Sequence, residues 1–161
     1  MIEPASDNTA WRLWRDAARR PLIDRAIRDL YARLDAAVQS RGPTCWISGK
    51  CCNFDAHGHR LYVTGLEIAW VLKESAAVSA KHGEVSLTGP CSFQANNLCT
   101  VHTIRPLGCR VFFCQQGTQQ WQSDLYEQFL GQLRSLHDEH ALPYRYMEWR
   151  AGLRAARQCA E

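Results

Sequence analysis

The sequence lacks any apolar run of the roughly 18 to 20 residues that a helix needs to cross a bilayer, so neither a membrane span nor a membrane partner is expected. The opening stretch, MIEPASDNTAWRLWRDAARRP, lacks the apolar core of a secretory leader. Its acids come early and its arginines late, so Arg19-Arg20-Pro21 does not read as an export signal, and the expected location is cytoplasmic. Also missing are a glycine-rich turn for phosphate, a nucleotide fingerprint and a Ser/His/Asp order of hydrolytic type. Lysine is scarce, with three residues against sixteen arginines. The net charge of +3 gives little pull on a polyanion, and no nucleic-acid recognition motif is present. A nucleic-acid partner is therefore not expected, and a protein partner is left open.

What the chain does have is cysteine. Eight are present, and seven of them (Cys45, Cys51, Cys52, Cys91, Cys99, Cys109 and Cys114) fall within seventy residues. In a reducing compartment, clustered thiols point to metal or catalysis rather than to a disulfide framework. The length of 161 residues and the composition, 46% hydrophobic and 22% charged, suit one domain with a real core.

Periodicity places the elements around these cysteines. Asp7, Asn8 and Thr9 can cap a short helix that Pro21 ends or restarts. Ile23, Ile27, Leu30, Leu34 and Val38 then recur at helical spacing, as far as Gly42-Pro43. Eight arginines lie between Arg12 and Arg41, with Asp16–Arg20, Asp24–Arg28 and Asp29–Arg33 at i,i+4, which reads as a solvated face. Leu61-Tyr62-Val63 reads as a short strand. Thr64 and Glu67 form a capping box that opens a helix fading near His82-Gly83. Val85-Ser86-Leu87 reads as a second short strand that could pair with the first. Residues 88–117 are irregular, a long helix runs from about Gln119 to Ala141, and another follows Pro143. The expected fold is mainly α with a small β element, with helices flanking a loop-rich, cysteine-ligated centre.

The cysteines form two blocks, Cys45-x5-Cys51-Cys52 and Cys91-x7-Cys99-x9-Cys109-x4-Cys114. Thiolates are soft ligands that suit zinc, Cu(I) and iron–sulfur clusters. The spacings match neither the tight C-x2-C pairs of zinc fingers nor the bacterial ferredoxin run. Four thiolates on zinc or on an oxidised four-iron cluster leave a charge near 2−, and Lys50, Arg105 and Arg110 stand beside the cysteines to offset it. Arg105 and Arg110 are the candidates for contact with the cofactor. Adjacent Cys51 and Cys52 would face opposite ways on extended backbone, so both reach one metal only if the chain turns sharply.

The segment CSFQANNLCTVHTIRPLGCRVFFC resembles the second half of the YkgJ-like cysteine-cluster family, a zinc- or iron-chelating domain. The resemblance rests on Cys91, Cys99, His102, Arg105-Pro106, Cys109-Arg110 and Cys114. It implies a metal or cluster held by Cys45, Cys51, Cys52, Cys91, Cys99, Cys109 and Cys114. The first block departs from the family's C-x-x-C-x-x-C-C, since Ser48 stands where the second cysteine would be. The expected cofactor is an iron–sulfur cluster, with zinc as the alternative. The expected role is electron transfer, metal handling or support of another enzyme. A zinc-stabilised interaction module and a cluster-dependent oxidoreductase or protein-modifying enzyme stand beside it. His102 reads as a packing or hydrogen-bonding residue, and His57 and His59 as mostly solvated. His137 and His140 read as surface residues, Cys159 as a free thiol, and Trp46, Trp70, Trp121 and Trp149 as core or edge.

Overall fold

The computed structural model describes residues 7–43 and 50–160. Its elements are α1 (Asp7–Arg19), α2 (Pro21–Arg41), β1 (Tyr62–Thr64), α3 (Gly65–Ala77), β2 (Gln94–Ala95), β3 (Leu98–Cys99), α4 (Leu107–Val111), α5 (Gln119–Glu139), β4 (Tyr146–Glu148) and α6 (Trp149–Gln158). Short 3₁₀ turns lie at Lys50–Cys52 and His102–Ile104. The fold is mainly helical with two small two-stranded sheets, as the periodicity implies.

Each helix follows from local chemistry. In α1 the residues Ala10, Trp11, Trp14, Ala17 and Ala18 make one buried stripe at helical spacing. Pro21 starts α2 at a position where its missing N–H costs nothing, and Gly42 ends it. Gly42 takes a left-handed φ of 65°, and its N–H reaches Val38 O at 3.0 Å. The capping box of α3 forms in full. Helix α1 packs on α3, α2 on α5, and the short α4 against both α2 and α5. Gly65 lets α1 and α3 approach, since a Cβ there would stand 2.4 Å from the Trp14 ring.

The strand pairing corrects the sequence reading. Val85–Leu87 carries no strand. β1 pairs instead with β4, antiparallel, with Val63 opposite Met147. A three-residue strand has no readable period, and its partner is fixed by where α5 delivers the chain rather than by proximity in sequence. Residues 88–117, expected to be irregular, hold the β2–β3 hairpin and α4. His137 is a second correction. It is fully buried, with Nδ1 donating to Pro143 O at 3.0 Å, because it lies one turn after Leu133 on the apolar face of α5. Trp14 Nε1 donates to the same carbonyl at 2.8 Å, tying α1 to the turn before β4. Of the three expected i,i+4 ion pairs, Asp24–Arg28 forms at 2.9 Å, whereas Arg33 turns to Gln132 of α5. Arg20 lies at the extended break between α1 and α2, off the helical spacing that pairing with Asp16 needs.

Two carboxylates hold the helices together. Asp24 accepts from Trp70 Nε1 at 2.8 Å, Lys73 Nζ at 2.7 Å and Arg28 Nε at 2.9 Å. Glu67 is 1% exposed and takes four donors. They are Thr64 N at 2.8 Å, Thr64 Oγ1 at 3.1 Å, Tyr31 Oη at 3.0 Å and Leu107 N at 2.9 Å.

Glu67→Ala is expected to lower the unfolding free energy in urea by about 3 kcal/mol or more, since each buried donor left without an acceptor costs about 1–3 kcal/mol. Unchanged stability would contradict the role given to this carboxylate. Burial works against the Asp24 carboxylate, but its bonds to Lys73, Arg28 and Trp70 hold its pKa at about 2, below the ordinary 3.8. A depressed acid stabilises the fold above its ordinary value and loses that contribution as pH falls toward the folded value. The stability gap between wild type and Asp24→Asn should therefore be widest above about pH 4 and close on acidification toward pH 2. A gap that is constant across this window would refute the assignment.

Candidate metal centre

Different local devices deliver the thiols. Cys51 and Cys52 sit on the 3₁₀ turn Lys50–Cys52, where successive side chains are about 120° apart rather than opposed. This is the sharp turn that a vicinal pair needs, and the two Sγ atoms stand 3.8 Å apart on one side. The second block joins the first through its backbone: Cys91 N–H donates to Cys52 O at 2.7 Å. Cys99 is brought in by the β2–β3 hairpin, whose turn residues Asn96 and Asn97 both have positive φ, 51° and 61°. Two such residues make the mirror-image turn that suits a two-residue hairpin, and asparagine tolerates it. Cys109 rides on α4. Gly108 beside it allows α4 to press against the strand region, because a Cβ there would lie 2.5 Å from Leu61 Cδ1. Past α4 the backbone of Phe113, next to Cys114, is held at both ends by the Gln122 amide, at 3.2 and 3.0 Å.

The result is one cavity of about 360 Å³ lined by Cys51, Cys52, Cys91, Cys99, Cys109 and Cys114. The rest of its wall is largely apolar: Phe54, Leu61, Val101, Phe112, Phe113 and Trp149. Cys45, Trp46 and Ser48 lie outside the described residues. Cys52 touches both Cys51 and Cys99, and Cys91, Cys109 and Cys114 complete the lining. Among the described residues, no three His, Cys, Asp or Glu side chains stand ready to hold a single ion. The donor set, six soft thiols on a largely apolar wall, fits zinc or iron–sulfur chemistry.

The electrostatics divide the thiols. Contact with the Cys52 thiol, helped by the Arg105 charge, lowers Cys51 to about 6 and Cys99 to about 7, in both cases against burial. Cys52, touching both, is pushed up and keeps its proton. Burial raises Cys91 to about 11, although a hydrogen bond from Trp149 pulls the other way. Burial also pushes Cys109 well up, opposed by Arg105. Metal binding must therefore displace protons from a partly protonated set, so uptake is coupled to pH.

The two arginines singled out by sequence part ways. Arg105 lines the cavity, with Nε donating to His102 O at 2.8 Å and Nη1 to Cys109 O at 3.1 Å. Arg110 is buried and turned to α2. It bonds Asp35 at 2.7 Å, Arg105 O at 2.7 Å and Thr103 O at 3.0 Å, and lies over the Tyr31 ring at 4.2 Å. His102 lines the cavity; burial, then Arg105 and Arg110, hold its pKa below the ordinary value. His59 stacks on Phe112 at 4.9 Å, with Nε2 3.1 Å from Cys51 O, while His57 is exposed. Cys159 is elsewhere, with its Sγ bonded to Asn8 Oδ1 at 2.9 Å. Sequence reasoning assigned Trp149 to core or edge and missed its place in this wall. Its position two residues after Met147, in a stretch without cysteine, carries no signal for it.

A family model with the signature CxxCxxCC, described as a "putative zinc- or iron-chelating domain", matches residues 44–128. That is more than half of the chain and includes all seven clustered cysteines. No curated protein and no solved structure gives a match.

Replacing Cys99 or Cys109 by serine should lower bound metal and melting temperature together, because assembly of such a site is coupled to folding. Cys159→Ser, remote from the cavity, should change neither. Wild-type metal content and melting in the Cys99 and Cys109 variants would rule out this set of ligands.

Proposed function

The chain belongs to the CxxCxxCC family of zinc- or iron-chelating domains, and on that premise we propose that its thiol-lined cavity carries an iron–sulfur cluster serving electron transfer. One observation supports this reading above others: six thiols line one cavity of about 360 Å³, more than the four that a single ion takes. A single ion draws four sulfurs to about 2.3 Å from one point. A cluster places its own iron and bridging sulfide between ligands that stand farther apart. The wall supports the same reading. Aromatic and aliphatic side chains keep water from the centre, and Arg105 with neighbouring N–H groups offsets its negative charge. Burial and hydrogen bonds to sulfur are the levers that set such a centre's potential.

Zinc is the second reading, and one distance is compatible with it. Two thiolates on a tetrahedral ion with bonds of about 2.3 Å stand about 3.8 Å apart, which is the separation of Cys51 Sγ and Cys52 Sγ, 3.8 Å. The same spacing also suits an iron atom that carries two thiolates.

Purification without air, followed by visible absorption and by iron, sulfide and zinc analysis, separates these readings. Broad charge-transfer absorption with iron and acid-labile sulfide is the expected result. Stoichiometric zinc without iron would replace it with the second reading. A folded, colourless, metal-free protein that takes up neither metal on reconstitution would overturn both.

A further inference from the structure

Cys91 receives something that no other described cysteine receives, a hydrogen bond from a side-chain nitrogen. Trp149 Nε1 lies 3.2 Å from Cys91 Sγ, and the indole is 1% exposed. An indole N–H can only donate. A neutral thiol is a weak acceptor, whereas a thiolate is a charged one and makes the bond short and strong. We propose that Trp149 is a positioning residue of the metal centre, whose N–H holds the Cys91 sulfur in place as a ligand, and that with Arg150 it clamps both cysteine blocks around the metal. This rests on the cavity binding a metal and not on which metal it is.

The ring is fixed independently of the sulfur. The Trp149 backbone N–H donates to Leu61 O at 2.8 Å, continuing the β1–β4 register. Its indole packs at 6.2 Å against Phe93, two residues beyond Cys91. Arg150, 4% exposed, adds contacts to the flanking loops. Its Nη1 reaches Asp55 at 3.1 Å and Gly89 O at 2.9 Å, while Nε is held by Glu148 at 2.9 Å. Its guanidinium also lies 5.1 Å from the centre of the Phe54 ring. Asp55 and Phe54 belong to the loop leaving Cys51-Cys52, and Gly89 to the approach to Cys91. Two adjacent residues thus hold both blocks from one side. Neither lies within residues 44–128, so the recognised segment does not supply its own closure.

A tryptophan that merely fills the core would need its shape and not its N–H. Site-specific replacement of Trp149 by benzothienylalanine keeps the shape and replaces N–H with sulfur. Trp149→Phe removes the donor more crudely, and the analogue decides the matter if Trp149→Phe fails to fold. In chelator competition the loaded analogue should lose metal affinity by about 10–100-fold, the usual effect of deleting an outer-shell partner, while the melting temperature of the metal-free protein is unchanged. With an iron–sulfur centre, the reduction potential should also fall and the charge-transfer bands shift, because the lost bond favoured the more negative reduced state. Wild-type affinity in the loaded analogue would overturn the proposal and leave metal binding intact. Absence of metal from the wild type would remove both, so the two failures look different.

Discussion

The buried Glu67 carboxylate is the interaction on which the rest of this fold depends. It caps α3 through Thr64, fixes α2 through the Tyr31 hydroxyl, and receives the Leu107 N–H that opens α4. Three elements far apart in sequence are thereby pinned to one acceptor. Burial pushes the Glu67 carboxyl up while its donors pull it down. Burial prevails and holds the carboxyl above its ordinary value, and the four donors supply the partners that a polar group buried here needs. The link to the metal centre is direct, since α4 carries Cys109, and its orientation fixes where Arg105 and Arg110 point.

From that anchor the cavity is assembled by backbone as much as by sulfur. The Cys91 N–H on Cys52 O joins the blocks before any ligand is considered, and the asparagine turn folds Cys99 back over them. Arg110, spent on Asp35, Tyr31 and two carbonyls, locks α4 to α2, while Arg105 faces the thiols. Two arginines five residues apart therefore have separate duties. One supports the scaffold, and the other faces the site it supports.

Much of this was readable in the chain. The capping box, the stop of α2 at Gly42 and the clustering of cysteines depend on short-range chemistry, and that chemistry is local in the structure too, whereas α3 ends at Ala77, short of the His82-Gly83 expected for it. What could not be read depends on partners distant in sequence. Thr64-x-x-Glu67 announces a cap, but nothing nearby shows that Glu67 also serves Tyr31 and Leu107. A strand as short as β1 does not reveal its partner, so it was matched with Val85–Leu87, while Met147 of the true partner β4 was given to the last helix. His137 was legible and misread, for it falls on the Leu133–Leu136 stripe where a polar ring needs a specific acceptor. Arg105 and Arg110 look alike beside their cysteines, and only the α4 turn separates them.

The antiparallel pairing of β1 with β4 also sets an order of events. Synthesis delivers every thiol of the cavity before it delivers Trp149 and Arg150, so for an interval the cysteines exist without their last wall. The lasting site can form only when the later strand docks on the earlier one. Closure of the sheet thus completes the wall around the thiols with a residue that the chain supplies after every cysteine lining the cavity.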